Sequence, residues 1–167
     1  MANEVYTRTN QALSFARLAL ASWEAAAGDS GMGALTQARY HREHVIFHAY
    51  RTVLALIHEV AEGYRWPLLD VRSVEQVLDS DVAERFPGPE LGELVQLAAN
   101  PQSWLAGLLR AWQQLLAPAA GAASVAGSEL IATTAVSAAQ WEIDEAQTAL
   151  DALAAQVERY RQAMQEW

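Results

Sequence analysis

Residues 39–65, "RYHREHVIFHAYRTVLALIHEVAEGYR", hold all four histidines of the chain, and their spacing decides the fold. At about 100° per residue, His41, His44, His48, Arg51, His58, Glu59 and Glu62 fall in one narrow seam. The rest of the wheel is apolar over roughly 200°: Val45, Ile46, Phe47, Ala49, Tyr50, Val53, Leu54, Leu56, Ile57, Val60 and Ala61. A helix apolar over more than half its circumference has to pack on at least two sides. The seam is then its exposed line or the lining of a groove.

Working outward, Gly63 and Pro67 end this helix, and "GDSGMG" (residues 28–33) precedes it. From Ala34 to Arg65 it would be about 48 Å long, enough for a bend near its start. An amphipathic helix over 4–27 carries Tyr6, Leu13, Ala16, Leu20, Trp23 and Ala27 on one face. The middle reads as one or two short helices, with Ser73 and Gln76 at capping-box spacing. "GPELGELVQLAAN" (residues 88–100) is helical, and Pro101 is placed in the first turn of the next helix. That helix has Leu105, Leu108, Trp112 and Leu115 on one stripe and ends near Pro118.

Residues 119–136, rich in Gly, Ala, Ser and Thr, read as a long connection, with "ELIATTAV" (residues 129–136) strand-like but lacking a partner strand. Ser137 and Gln140 repeat the capping-box spacing before the last helix. Ile143, Ala146, Leu150, Leu153, Val157, Tyr160 and Met164 then alternate steps of three and four without a slip. Sustained heptads favour shallow crossing angles. The expectation is an all-α fold, residues 1–167 as a single helical domain. Its four main helices form a bundle, with one or two short additional helices in the middle. The same heptads would also pair two chains as a coiled coil.

Composition removes several chemistries. A chain of 167 residues buries roughly 68–70% of its unfolded surface, enough for a core. It has no cysteine, so disulfides, thiolate metal sites and cysteine nucleophiles are excluded. All eleven basic residues are Arg, which excludes lysine Schiff bases and P-loop lysines. A net charge of −9 opposes nucleic acid and anionic lipid. "MANEVYTRTN" lacks the basic start and apolar run of a secretory signal. The least polar stretch, residues 116–139, is too small-residue-rich and too polar at Glu129 to span a membrane. The expected location is the cytoplasm, with neither nucleic acid nor membrane as partner.

The seam carries the candidate site: His41, His44, His48, Arg51, His58 and Glu62. In the bland reading it is a solvated line. His44 and His48, four apart, would both reach one divalent transition metal, with His41 as a further candidate ligand. His41 and His48 lie about 10 Å apart along the axis, so a third ligand would come from another helix. Glu24, Glu142, Asp144 and Glu145 are the candidates. "HEVAE" (residues 58–62) departs from the zinc-protease HExxH at Glu62. Four imidazoles beside Arg51 would also gain charge together below about pH 6.5.

Arg51 and His58 resemble the Arg-x(4–6)-His pair of helical ribonuclease-type domains of toxin systems, which implies RNA cleavage with His as acid or base and Arg on phosphate. Thr52 stands where that family usually has Asn, Asp or His, and Arg42 with His48 fits the same loose pattern. No catalytic set assembles from the rest of the sequence, and no cofactor is expected outside the metal reading. Of the six Trp, Trp23 and Trp112 sit on core stripes. Trp141 and Trp167 lie off the last helix's heptad face, which makes them candidates for contact with a protein partner or a second copy.

"NEVYTRTNQALSFARLALASWEAA" (residues 3–26) followed by "HREHVIFHAYRTVLALIHEVAEGYR" (residues 41–65) resembles a family of short helical proteins of pseudomonads and related gammaproteobacteria. That family is known as a domain of unknown function. The resemblance covers most of the chain and implies one bacterial cytosolic domain. It transfers no catalytic or binding residue. The function expected is therefore a non-enzymatic helical-bundle protein acting through protein–protein contact or self-association. Metal binding at His44 and His48 is the first alternative, and the Arg-His ribonuclease-type domain the second.

Overall fold

Apolar side chains spaced three and four apart have to coil to share one face, and four long helices close around the face they make. The computed structural model describes residues 2–78, 81–117 and 141–165. Its helices are α1 (Ala2–Ala27), α2 (Ala34–Gly63), α3 (Glu75–Leu78), α4 (Val82–Arg85), α5 (Pro89–Ala99), α6 (Trp104–Leu116) and α7 (Ile143–Gln165). There is no strand among the described residues. α1 packs on α2, α2 on α6, α6 on α7 and α7 on α1. That ring of neighbours is the arrangement of a four-helix bundle. α5 lies against α6 and α2, with α3 and α4 beside it. The middle thus holds the two short helices α3 and α4, and α5 forms over the 88–100 stretch, as the sequence predicts.

α2 runs as one continuous helix from Ala34 to Gly63. Gly33 carries the left-handed turn (φ 89°) that leads into it. Its far end closes as a Schellman motif. The Trp66 N–H donates to the Ala61 carbonyl at 2.8 Å, and the Arg65 N–H to the Glu62 carbonyl at 3.1 Å. Arg65 holds the left-handed position (φ 57°) that glycine usually takes there.

The heptad face of α7 turns inward as its sequence predicts. Ala146, Leu150, Leu153, Val157 and Tyr160 are buried, with Ile143 and Met164 packed at the margins. From α1, Ala16, Leu20 and Trp23 join the same core, as do Leu105 and Leu108 of α6. Each fully buried leucine contributes roughly 1.5–3 kcal/mol. Pro101 sits in the turn before α6, not in its first turn. Ser103 is the cap, its Oγ accepting from the Ala106 N–H at 3.0 Å. Ser73 caps α3 as expected, accepting from the Gln76 N–H at 3.4 Å.

Polar ties fix the helices to one another. Tyr50 of α2 stacks on Trp112 of α6, ring centroids 4.2 Å apart. The Tyr50 hydroxyl donates to Glu75 Oε2 at 2.6 Å and accepts from the Val74 N–H at 2.9 Å. The Gln113 side chain donates to the other Glu75 oxygen at 2.9 Å. Burial raises the Tyr50 hydroxyl above its ordinary range; at Glu75 burial pushes the carboxyl upward, but the hydrogen bonds it accepts outweigh that and leave it lowered. The Tyr160 hydroxyl donates to the Glu90 carbonyl at 2.8 Å and links α7 to α5. Residues 119–136, the Ser137–Gln140 cap and Trp167 lie outside the described residues.

Candidate functional site

The histidine seam does not stay together. Its first half opens on the surface and its second half enters the core. On α1, Phe15, Leu18, Ala19 and Ser22 share one face because they are three, four and seven positions apart. On α2, Tyr40, His41, His44 and His48 do the same. The two rows line a shallow groove of about 270 Å³. His41, His44 and His48 therefore line a groove between two helices.

The rings in this groove touch in series. Tyr40 lies 4.2 Å from His44 and 5.1 Å from His41, centroid to centroid. His48 sits edge-on to Phe15 at 5.4 Å and to Phe47 at 5.1 Å. Its Nδ1 is buried without a hydrogen-bond partner. Burial holds His48 below the usual histidine range, and the neighbouring Arg51 and His44 push it the same way. His48 is thus a neutral aromatic wall at physiological pH.

His44 and His48 are 6.2 Å apart by ring centroid, and His41 and His44 6.3 Å. No group of three His, Asp or Glu placed to hold a metal ion occurs among the described residues. Arg51 is half-exposed and has no ion pair among them; Glu62 is half-exposed too.

The seam expectation fails at His58 and Glu59. His58 is only 3% exposed, and its Nε2 lies 2.9 Å from the Val71 carbonyl. A carbonyl only accepts, so this nitrogen carries the proton. Burial pulls His58 below the usual range, against the pull of that carbonyl. A ring enclosed in this way cannot meet a polynucleotide, so the Arg51–His58 pair is not an assembled ribonuclease site. Arg42, in the parallel pair with His48, donates its Nε–H to the Trp141 carbonyl at 2.9 Å.

Glu59 has a fully buried side chain that Arg161 of α7 meets bidentately, Nε to Oε2 at 2.9 Å and Nη2 to Oε1 at 2.6 Å. Arg161 also donates to Asn10 Oδ1 at 2.9 Å. The Glu59 hydrogen bond raises the Arg161 guanidinium further above its usual range. This pair is a lock between α2, α7 and α1.

Trp141 is not the exposed contact residue that its heptad phase implied. It is 5% exposed and belongs to the core. It precedes the first residue of α7, so helical phase does not govern its direction. The exposed residues that the sequence reading missed are Phe15, Leu18 and Tyr40, together with Phe47, which was assigned to the packed arc. All four are large and apolar and stand on the surface. A signal existed for Phe15 and Leu18, since neither falls on the buried stripe of α1.

A protein-family model, described as a family of unknown function (DUF6586), matches residues 1–167. No curated protein matches the chain. No solved structure matches it either. No helix among the described residues is long and apolar enough to cross a membrane.

Proposed function

Because the chain belongs over its whole length to this family of unknown function, DUF6586, its role has to be read from the site, and we propose that it is a non-enzymatic helical-bundle protein that works through protein–protein contact at the α1–α2 groove. The observation that carries this reading is the placement of exposed apolar side chains. Nine large ones are exposed among the described residues, and six of them, Phe15, Leu18, Met32, Leu35, Tyr40 and Phe47, lie on the α1–α2 hairpin. Contiguous exposed apolar surface of a few hundred Å² marks contact sites. Aromatic side chains without lysine, aspartate or glutamate are also the composition of an interface centre. The same proposal keeps the protein in the cytoplasm, which cell fractionation checks.

The experiment is site-specific photo-cross-linking in cells. A benzophenone side chain at Leu18 captures a protein, whereas the same group at Leu116, equally exposed at the end of α6, does not. Equal capture at both positions, or none at Leu18, removes the proposal.

A second reading, metal binding, has one observation behind it: His44 and His48 open into the same groove with rings 6.2 Å apart. Small rotations would aim both at one divalent ion, with water or a partner completing the shell. Calorimetry with zinc, nickel and copper on untagged protein tests it. Binding that His48→Ala abolishes supports the reading, and no heat above dilution ends it.

A further inference from the structure

We propose that the occupant of the α1–α2 groove is a second copy of this chain, docked face to face about a two-fold axis. This rests on the reading of the groove as a contact surface and names its partner. Three observations favour a copy over any other occupant.

The first is area. Phe15, Leu18, Tyr40 and Phe47 are 39, 63, 53 and 45% exposed, which leaves roughly 100 Å² each on the surface. Together they supply roughly 400 Å² of apolar surface, about half of the ~800 Å² per partner of a standard interface, which is the usual apolar share of one.

The second is shape. A two-fold interface has to be complementary to itself. Two helices with a groove between them meet that condition, because the ridge of each copy enters the groove of the other, as ridges pack into grooves within a bundle. Leu18 and Tyr40, 63 and 53% exposed, stand at the groove's lining and would enter the partner copy between Phe15, Ala19, His44 and His48.

The third is charge. Two copies at −9 each repel, and the contact has to form where no carboxylate is buried against another. The groove lining contains no Asp or Glu, and its His48 is neutral. The outward side of α7, by contrast, carries Asp144, Asp151 and Glu158. Added salt screens the overall repulsion and strengthens apolar burial, so self-docking tightens as salt rises. An acidic partner drawn to Arg51 and the histidines would weaken with salt instead.

Sedimentation equilibrium across concentration and salt tests the proposal. The expected species has twice the 18.2 kDa chain mass and is favoured by salt. Leu18→Glu weakens it at least about tenfold with the helical circular dichroism unchanged, while Leu116→Glu leaves it intact. The chain has no cysteine, so Leu18→Cys supplies a milder second readout: a flexible bismaleimide joins two Leu18→Cys chains and not two Leu116→Cys chains. A monomer at every concentration and salt overturns the second-copy proposal. If photo-cross-linking at Leu18 still captures another protein, the contact-surface reading survives that result. A dimer that ignores Leu18→Glu, or that Leu18→Cys fails to cross-link, forms through another face and likewise overturns the second-copy proposal.

Discussion

Arg161→Met is expected to cost about 3–5 kcal/mol of folding stability, because it strips the paired cation from a carboxylate whose side chain is fully buried. The Glu59 side chain is fully buried and takes two guanidinium hydrogen bonds, and the Arg161 side chain is 22% exposed. Taking both charges from water is expensive, and the pair repays this only while both members are present. Against a total stability of 5–15 kcal/mol typical of such domains, the loss is a large fraction. The double variant Glu59→Leu with Arg161→Met removes both charges, so it recovers most of the loss. The surface pair Arg39–Glu43, with side chains 81 and 39% exposed, is the internal control. Arg39→Ala should cost at most about 0.5 kcal/mol. Urea unfolding followed by circular dichroism gives all three values. An Arg161→Met loss below about 1 kcal/mol, the range of exposed pairs, would refute the reasoning.

Arg65→Gly is expected to stabilise the protein by about 1 kcal/mol, since it removes the side-chain penalty of a left-handed Schellman position; a lower melting temperature would contradict this. Tyr50→Phe should cost about 1–3 kcal/mol, because it deletes the acceptor of the buried Val74 N–H and the donor to Glu75; an unchanged urea midpoint would count against that network. His48 and His58 are both held below the usual histidine range, burial being the larger cause in each. The fold therefore favours the neutral rings, stability is full above about pH 6.5, and it falls as pH drops below that value, by at most about 1.4 kcal/mol per pH unit for each histidine. His58→Gln should flatten that acid slope in urea titrations between pH 7 and 5; an unchanged slope would exclude His58 as its source.

Much of the bundle was legible because one physical rule governs it. On α7 the apolar positions alternate three and four, and the same positions turn inward. α2 was legible in length because Gly33 and the Gly63–Pro67 region bound it. The capping of α6 by Ser103 was missed because Pro101 offered a plausible start two residues earlier. The site was half legible. His41, His44 and His48 share a face by spacing alone, and that spacing holds in the groove. His58 and Glu59 share the phase of the seam, yet their burial depends on Val71 and on Arg161, which stands 102 positions from Glu59. No local pattern encodes such a partner. Trp141 was misread because heptad phase was extended to a residue that precedes the helix. The groove itself needed both helices, since Phe15 and Leu18 acquire meaning only beside Tyr40 and His48.

The most direct test of the groove as the contact surface uses the four histidine rings as reporters. Their C2 proton resonances are recorded by NMR as protein concentration and salt are raised. His41, His44 and His48 line the groove and should shift together, while His58, enclosed in the core, stays fixed. Four unmoved resonances while the particle mass doubles, or a shift confined to His58, would contradict the account.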